Sequence, residues 1–225
     1  MTSSDASPAA RDESGPPAPV KDAGEDRLSI YAAILLGIAA TLTAFSAYNA
    51  ALTDGDALKG YTESNSQLSD SNYFYGRGDA KQSQDYQLWL SYNVAYLENQ
   101  NGTGAPETKD AIYEAMDDNL RQAVDWWATT ETSETPFDDD SPYINDDYGE
   151  GESTGEASQA AFLAGQAADN QGDDYELASV LLALCLFFAG IATLFRKRGV
   201  VVSLLVVATL VLAAGAVQLA VGAGA

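Results

Sequence analysis

Residues 177–225 read LASVLLALCLFFAGIATLF, then RKR, then GVVVSLLVVATLVLAAGAVQLAVGAGA. Leu177 to Phe195 and Gly199 to Ala225 hold no charged residue, and only Arg196, Lys197 and Arg198 separate them. A helix rises about 1.5 Å per residue, so either run can cross a hydrocarbon core about 30 Å thick. Lipid offers no water to satisfy backbone amides, and each run must therefore close its own hydrogen bonds as a helix. Working back toward the N-terminus, residues 28–52, LSIYAAILLGIAATLTAFSAYNAAL, repeat the pattern. The expected fold class is all-α: three transmembrane helices with an extracytoplasmic antiparallel helical bundle.

The arginines and lysines set the orientation, because short cytoplasmic segments are enriched in them. Arg196, Lys197 and Arg198 fill the whole predicted hairpin and are the topology determinants, with Arg11, Lys21 and Arg27 standing before the first span. The intervening residues 53–176 hold only Lys59, Arg77, Lys81, Lys109 and Arg121. The expected location is the cell (plasma) membrane, multi-pass, with the N-terminus and hairpin cytoplasmic and the acidic domain and C-terminus outside. A signal peptide has a basic start and an apolar stretch of about 7 to 15 residues. Here a polar, net acidic segment precedes a longer apolar run, which fits a retained anchor better.

The expected organisation is a disordered cytoplasmic tail over 1–27, span 1 over 28–52, an acidic domain over 53–176, span 2 over 177–195, a basic turn at 196–198 and span 3 over 199–225. The tail is rich in Ser, Ala, Pro and Asp and has almost no large apolar residue, so burial cannot offset the entropy of ordering it. In the domain, Leu58, Tyr61, Leu68, Tyr86, Trp89, Leu90, Tyr96 and Leu97 keep a loose helical spacing, with a break expected near Gly76-Arg77-Gly78. Asn101 to Pro106 signals a turn. Ile112, Ala115, Met116, Leu120, Ala123, Val124 and Trp127 then recur at three and four residues, as in an amphipathic helix that ends before Pro136. Residues 132–153 read as an acidic loop, and an alanine-rich helix from about Glu156 leads into span 2, either straight or kinked at Gly172. Ala157, Ala160, Ala164 and Ala168 are the expected helix seam. Tyr61, Tyr86, Trp89, Tyr96, Trp126 and Trp127 are its candidate filling.

The chain carries 33 Asp and Glu against 11 Lys and Arg, a formal net charge of −22. Such a surface repels nucleic acid and anionic headgroups. It reads either as a cation-collecting domain or as adaptation to molar salt, where the Debye length falls to about 3 Å. Few lysines, one cysteine and a pI of about 4.1 match halophilic archaeal proteins and favour the second reading.

Chemical signatures are sparse. The chain has no histidine, the commonest general base and metal ligand. Its one cysteine, Cys185, lies in an expected span and reads as a small packing residue. No phosphate-binding glycine loop or nucleophile elbow occurs, so no catalytic residue and no cofactor is assigned, and the expectation is a non-enzyme. Asp138, Asp139, Asp140, Asp146 and Asp147 are weak candidates for a metal site, supplying oxygens of the kind Ca²⁺ prefers but not in EF-hand register. Asn101-Gly102-Thr103 makes Asn101 a candidate N-glycosylation site on an exposed turn.

The run AILLGIAATLTAFSAY over 33–48, Pro136-Phe137, Ser141-Pro142-Tyr143, Asp173-Asp174-Tyr175-Glu176-Leu177 and LFFAGI over 186–191 together resemble a family of uncharacterised prokaryotic three-pass membrane proteins, a domain of unknown function. The resemblance implies one N-terminal span, a helical extramembrane segment and a C-terminal two-span hairpin, and brings no activity with it. The leading expectation is a non-enzymatic membrane protein whose external bundle has a structural or interaction role. The alternatives are an extracytoplasmic sensor module, or an accessory subunit of a membrane transporter or enzyme complex. The expected partners are the lipid bilayer and either a second copy of the chain or another membrane protein, with no nucleic acid.

Overall fold

The computed structural model describes residues 23–130 and 134–224. The expected tail lies outside them except at its end, where helix already begins. Five helices follow one another: α1 (Ala23–Gln100), α2 (Pro106–Ala115), α3 (Asp118–Thr129), α4 (Asp146–Ala192) and α5 (Arg198–Gly224), with no strand among the described residues. Three of them, α1, α4 and α5, hold segments long and apolar enough to cross a membrane, the mark of a multi-pass membrane protein. The chain divides into two units, an apolar one (residues 23–51 and 171–224) and a polar one (52–170).

In the apolar unit, α4 runs antiparallel to both α1 and α5. Ser46 Oγ on α1 donates to the Tyr175 carbonyl on α4 at 2.6 Å, while Ala32, Ala39, Cys185, Ala189 and Ala192 share a core with Leu35 and Leu205. Gln218 Nε2 donates to Asp174 at 2.8 Å, and Gly215 lies against Leu182. Small residues make up most of the inward faces, with Leu35, Leu182 and Leu205 among them, while Ile30, Ile34, Phe45, Phe187, Val206 and Leu210 are all exposed. Lipid tails are as apolar as leucine, so close packing of small residues, rather than burial of large ones, is what can join helices there. α4 stops at Ala192, three residues before the expected end of span 2. The connection to α5 is therefore longer than the expected three-residue turn, and Arg198 already belongs to α5.

In the polar unit, α1 and α4 form an antiparallel pair whose contacts recur every seven residues. Ala57, Ser64, Ser71 and Gly78 are buried on α1, and Gly151, Ser158 and Gly165 on α4; the same spacing on α1 runs on to Asp85 and Tyr92, which the loop, α2 and α3 cover instead. A seven-residue period keeps one seam facing its partner if the helices supercoil slightly. Small side chains make this seam narrow. Ser64 Oγ lies 3.2 Å from Ser158 Oγ, Ser71 Oγ donates to the Gly151 carbonyl at 2.6 Å, and a Cβ on Gly60 would sit 2.6 Å from Gly165 Cα.

Several expectations are corrected by this packing. Ala157, Ala160 and Ala164 are exposed, because the seam follows the glycine and serine positions beside them. No break occurs at Gly76-Arg77-Gly78. A glycine costs a helix roughly 1 kcal/mol, but Gly78 is buried against the Tyr148 ring, and that contact holds α1 straight on. The acidic loop is shorter than expected, since α4 starts at Asp146 and continues past Gly172 without interruption.

α1 ends where Gly102 takes φ +72°, a conformation open to a residue without Cβ, so that Thr103 and Gly104 can turn their N–H groups onto the Glu98 carbonyl. The single helix expected over 112–127 is two. Met116 is already extended, which ends α2, and the Asp117 carboxylate accepts from Leu120 N–H at 2.8 Å, capping α3. Trp89, Tyr92, Met116, Leu120 and Val124 form a core with Tyr96, Trp127, Phe137 and Tyr143 packed against it. Leu120 and Val124 are fully buried, each worth about 1.5–3 kcal/mol.

All three tryptophans, Trp89, Trp126 and Trp127, lie in the polar unit, so their fluorescence reports on it alone. Gly60→Ala should destabilise that unit by about 1–3 kcal/mol, because the new methyl meets backbone that cannot swing away. Gly76→Ala, with nothing near its Cβ, should be neutral or stabilising by up to about 1 kcal/mol. Equal effects in thermal unfolding followed by tryptophan emission would refute the narrow seam.

Candidate functional site

The densest polar constellation among the described residues joins α1, the cap of α3 and the end of the loop over 134–145. Lys81 Nζ lies 2.6 Å from Asp117 Oδ2 and 3.0 Å from Asp85 Oδ2. Asp85, whose side chain is only 12% exposed, also accepts from the Tyr143 hydroxyl at 2.7 Å. One turn back on α1, Arg77 pairs with Asp147 at 3.0 Å and the Gly78 carbonyl accepts from Asn145 Nδ2 at 2.9 Å. Asn119 bonds both backbone groups of Ile144, accepting from its N–H and donating to its carbonyl. Tyr148 places its hydroxyl 2.7 Å from Asp79 and 2.8 Å from Gln82.

The electrostatics follow from these partners. Burial works against the charge of Lys81, but hydrogen bonds to Asp117 and Asp85 outweigh it and raise the ammonium above the ordinary lysine value. Burial likewise pushes the Asp117 carboxyl up, yet Lys81 and the Leu120 N–H together hold it below the usual carboxylate range. Burial first, and the Asp85 carboxylate next, push the Tyr143 phenol well above its normal range. Arg77, Lys81, Asp85, Asp117 and Asp147 line an open groove of ≈ 500 Å³. Its carboxylates are already held by a cation or a hydroxyl, a geometry suited to fastening a loop to two helices.

The aromatic residues pack on one another. Trp89 meets Trp127 edge-on at 5.7 Å and Phe137 meets Tyr143 edge-on at 4.8 Å, so the rings fill the space between one another. Tyr61 lies apart from them, against Phe162.

The weak metal candidates are not brought together. Asp138 accepts from the Thr135 hydroxyl and the Glu134 N–H within its own loop. Asp139 and Asp140 are exposed, Asp146 opens α4 and Asp147 is taken by Arg77. Among the described residues, no group of three or more His, Cys, Asp or Glu side chains is placed to hold a metal. Asn101 is exposed immediately after α1. Arg196, Lys197 and Arg198 are exposed at the α4–α5 connection. Sequence reasoning missed the Lys81–Asp85–Asp117–Tyr143 cluster. Only the Lys81 and Asp85 pair, four residues apart on one helix, was open to it.

No protein-family model matches the chain, and neither a curated protein nor a solved structure matches it.

The cluster should shape the pH dependence of the polar unit. A depressed carboxyl adds stability above the ordinary aspartate range that is lost as pH falls through its lowered pKa. A raised ammonium adds stability below the ordinary lysine value that is lost as pH rises through its raised pKa. Asp117→Asn should therefore flatten the acid limb of Tm against pH, and Lys81→Met should remove the cluster's share of the alkaline limb. Parallel profiles for wild type and both variants, read by tryptophan emission, would show that the cluster is not holding the loop.

Proposed function

We propose that the chain is a non-enzymatic protein of the cell membrane whose polar unit, held outside the cytoplasm, serves as a rigid helical platform in a structural or interaction role. The observation that carries this reading is the lashing of the loop over 134–145 onto α1 and α3 by Tyr143, Asn145 and Asn119, which spends polar groups on fixing a shape. Hydrogen-bonded networks of this kind rigidify the elements that they join. The orientation rests on the basic α4–α5 connection, and Asp- and Glu-rich surface on the other side is compatible with solvation in molar salt. The likeness to three-pass membrane proteins of unknown function is part of the same proposal and supplies no activity.

A second reading is a sensor. α1 and α4 are each continuous over 78 and 47 residues, and rearrangement of long packed helices is a known way to carry a ligand-induced shift. An accessory role in a larger membrane complex would place the chemistry on another chain.

Two experiments test the proposal. A thiol reagent unable to cross membranes should label Ser153→Cys in intact cells and leave Ser14→Cys unlabelled until the membrane is opened; the reverse pattern overturns the orientation. The native Cys185 is buried and should give no background. Purification in mild detergent should yield the chain without a stoichiometric foreign subunit. Recovery of such a subunit would favour the accessory role instead.

A further inference from the structure

Two concave features of the apolar unit share Leu28 in their linings. The first is a cavity of ≈ 190 Å³ formed by the start of α1, the end of α4 and the start of α5, with Ser29, Thr193, Arg196 and Arg198 as its polar lining. Ala32, Ala192 and Val201 make its apolar wall. The second is an open slot of ≈ 310 Å³ between α1 and α5, lined by Tyr31, Val202, Leu205, Val206 and Leu210. From Arg198 to Leu210 the helix rises about 18 Å, close to the depth of one leaflet's hydrocarbon, about half of 30 Å. A doubly cationic mouth and the apolar slot that adjoins it thus together span about one leaflet.

The charges at that mouth are uncommitted within the described residues. The ion pairs of the described residues employ Arg77, Lys81, Lys109 and Arg121, Arg196 and Arg198 enter none, and no carboxylate of the described residues lines the cavity. Guanidinium groups present paired N–H donors that match phosphate oxygens. The Thr193 hydroxyl already donates to the Gly190 carbonyl at 2.6 Å, which leaves Ser29 as the lining hydroxyl best placed to add a donor. A basic pocket between membrane helices is a recognised setting for phospholipid headgroups.

We propose that this composite feature binds one anionic phospholipid, with its phosphate between Arg196 and Arg198 and one of its chains along the slot between α1 and α5. The inference rests on the three apolar helices crossing a membrane. A free phosphate would satisfy the arginines but leave the slot unused, whereas a lipid uses both. Lys197 lies between the two arginines in sequence yet does not line the cavity, so it supplies a control of equal charge.

The test uses the full chain in neutral mixed micelles, with retained lipids counted by native mass spectrometry as phosphatidylglycerol or phosphatidylcholine is titrated in. One phosphatidylglycerol per chain should be retained in preference to phosphatidylcholine. Arg196→Gln and Arg198→Gln should each weaken retention roughly fivefold, the effect of about 1 kcal/mol per basic residue. Lys197→Gln should leave it unchanged, and Leu210→Trp, which places an indole in the slot without altering charge, should weaken it. Helix content and elution volume of each variant establish that it is folded. Equal losses for all three basic substitutions would reduce the site to general surface charge and overturn the proposal. Displacement of the lipid by inorganic phosphate at matched ionic strength, or an unaffected Leu210→Trp, would overturn the part played by the slot. A chain that stays folded and monomeric without detergent would instead defeat the membrane reading itself, a result separate from these.

Discussion

A peptide group that leaves water must find its hydrogen-bond partner within the protein, and in hydrocarbon that partner has to come from the same segment. This constraint turns residues 28–52, 177–192 and 199–224 into helix whatever their individual propensities, β-branched Val and Ile included. Once α1 and α4 are helical and antiparallel, what remains is how two such helices hold together. In the apolar unit the means are small residues and a few internal polar bonds, Ser46 to the Tyr175 carbonyl foremost. In the polar unit the same pair of helices uses a seven-residue repeat of Ala, Ser and Gly. Both solutions put small residues at the helix contacts, in the apolar unit beside Leu35, Leu182 and Leu205.

The polar unit adds a second kind of cohesion where α1 widens its contacts. From Lys81 onward the seam residues grow to Asp85, Trp89 and Tyr92, and α2 and α3 pack over them. The loop after α3 contributes Phe137 and Tyr143 to this core and its later backbone to Asn119. A burial-driven aromatic cluster and a hydrogen-bonded latch thus fix the same segment from two directions. In a chain of net charge −22, placing Lys81 between two carboxylates also relieves local repulsion that would otherwise oppose the packing.

The readable part of this structure was the part governed by long uniform patterns. Uncharged runs announced the apolar helices, and Asn101-Gly102 announced the end of α1. The seven-residue seam was also present in the sequence, but alanine is the commoner cue for close packing, and the Ala157, Ala160 and Ala164 series drew attention away from Gly151, Ser158 and Gly165. Gly76-Arg77-Gly78 suggested a break because glycine disfavours helix, whereas Gly78 is kept helical by a tertiary contact with Tyr148 that no local reading contains. The split between α2 and α3 lies in two extended residues, Met116 and Asp117, the second of which caps α3 through its carboxylate. The latch joins residues 36 and 58 positions apart, and the cavity at Arg196 and Arg198 needs three helices to exist, so neither could be seen along the chain.

These elements depend together on immersion in lipid of the apolar segments of α1, α4 and α5, since the outward-facing Ile34, Phe45, Phe187, Val206 and Leu210 would otherwise be left against water. The most direct measurement is fractionation of native membranes washed at alkaline pH and then treated with detergent. The account predicts that the chain stays in the pellet through the wash and is released only by detergent. Recovery of the intact chain as a folded monomer in the aqueous wash would contradict it.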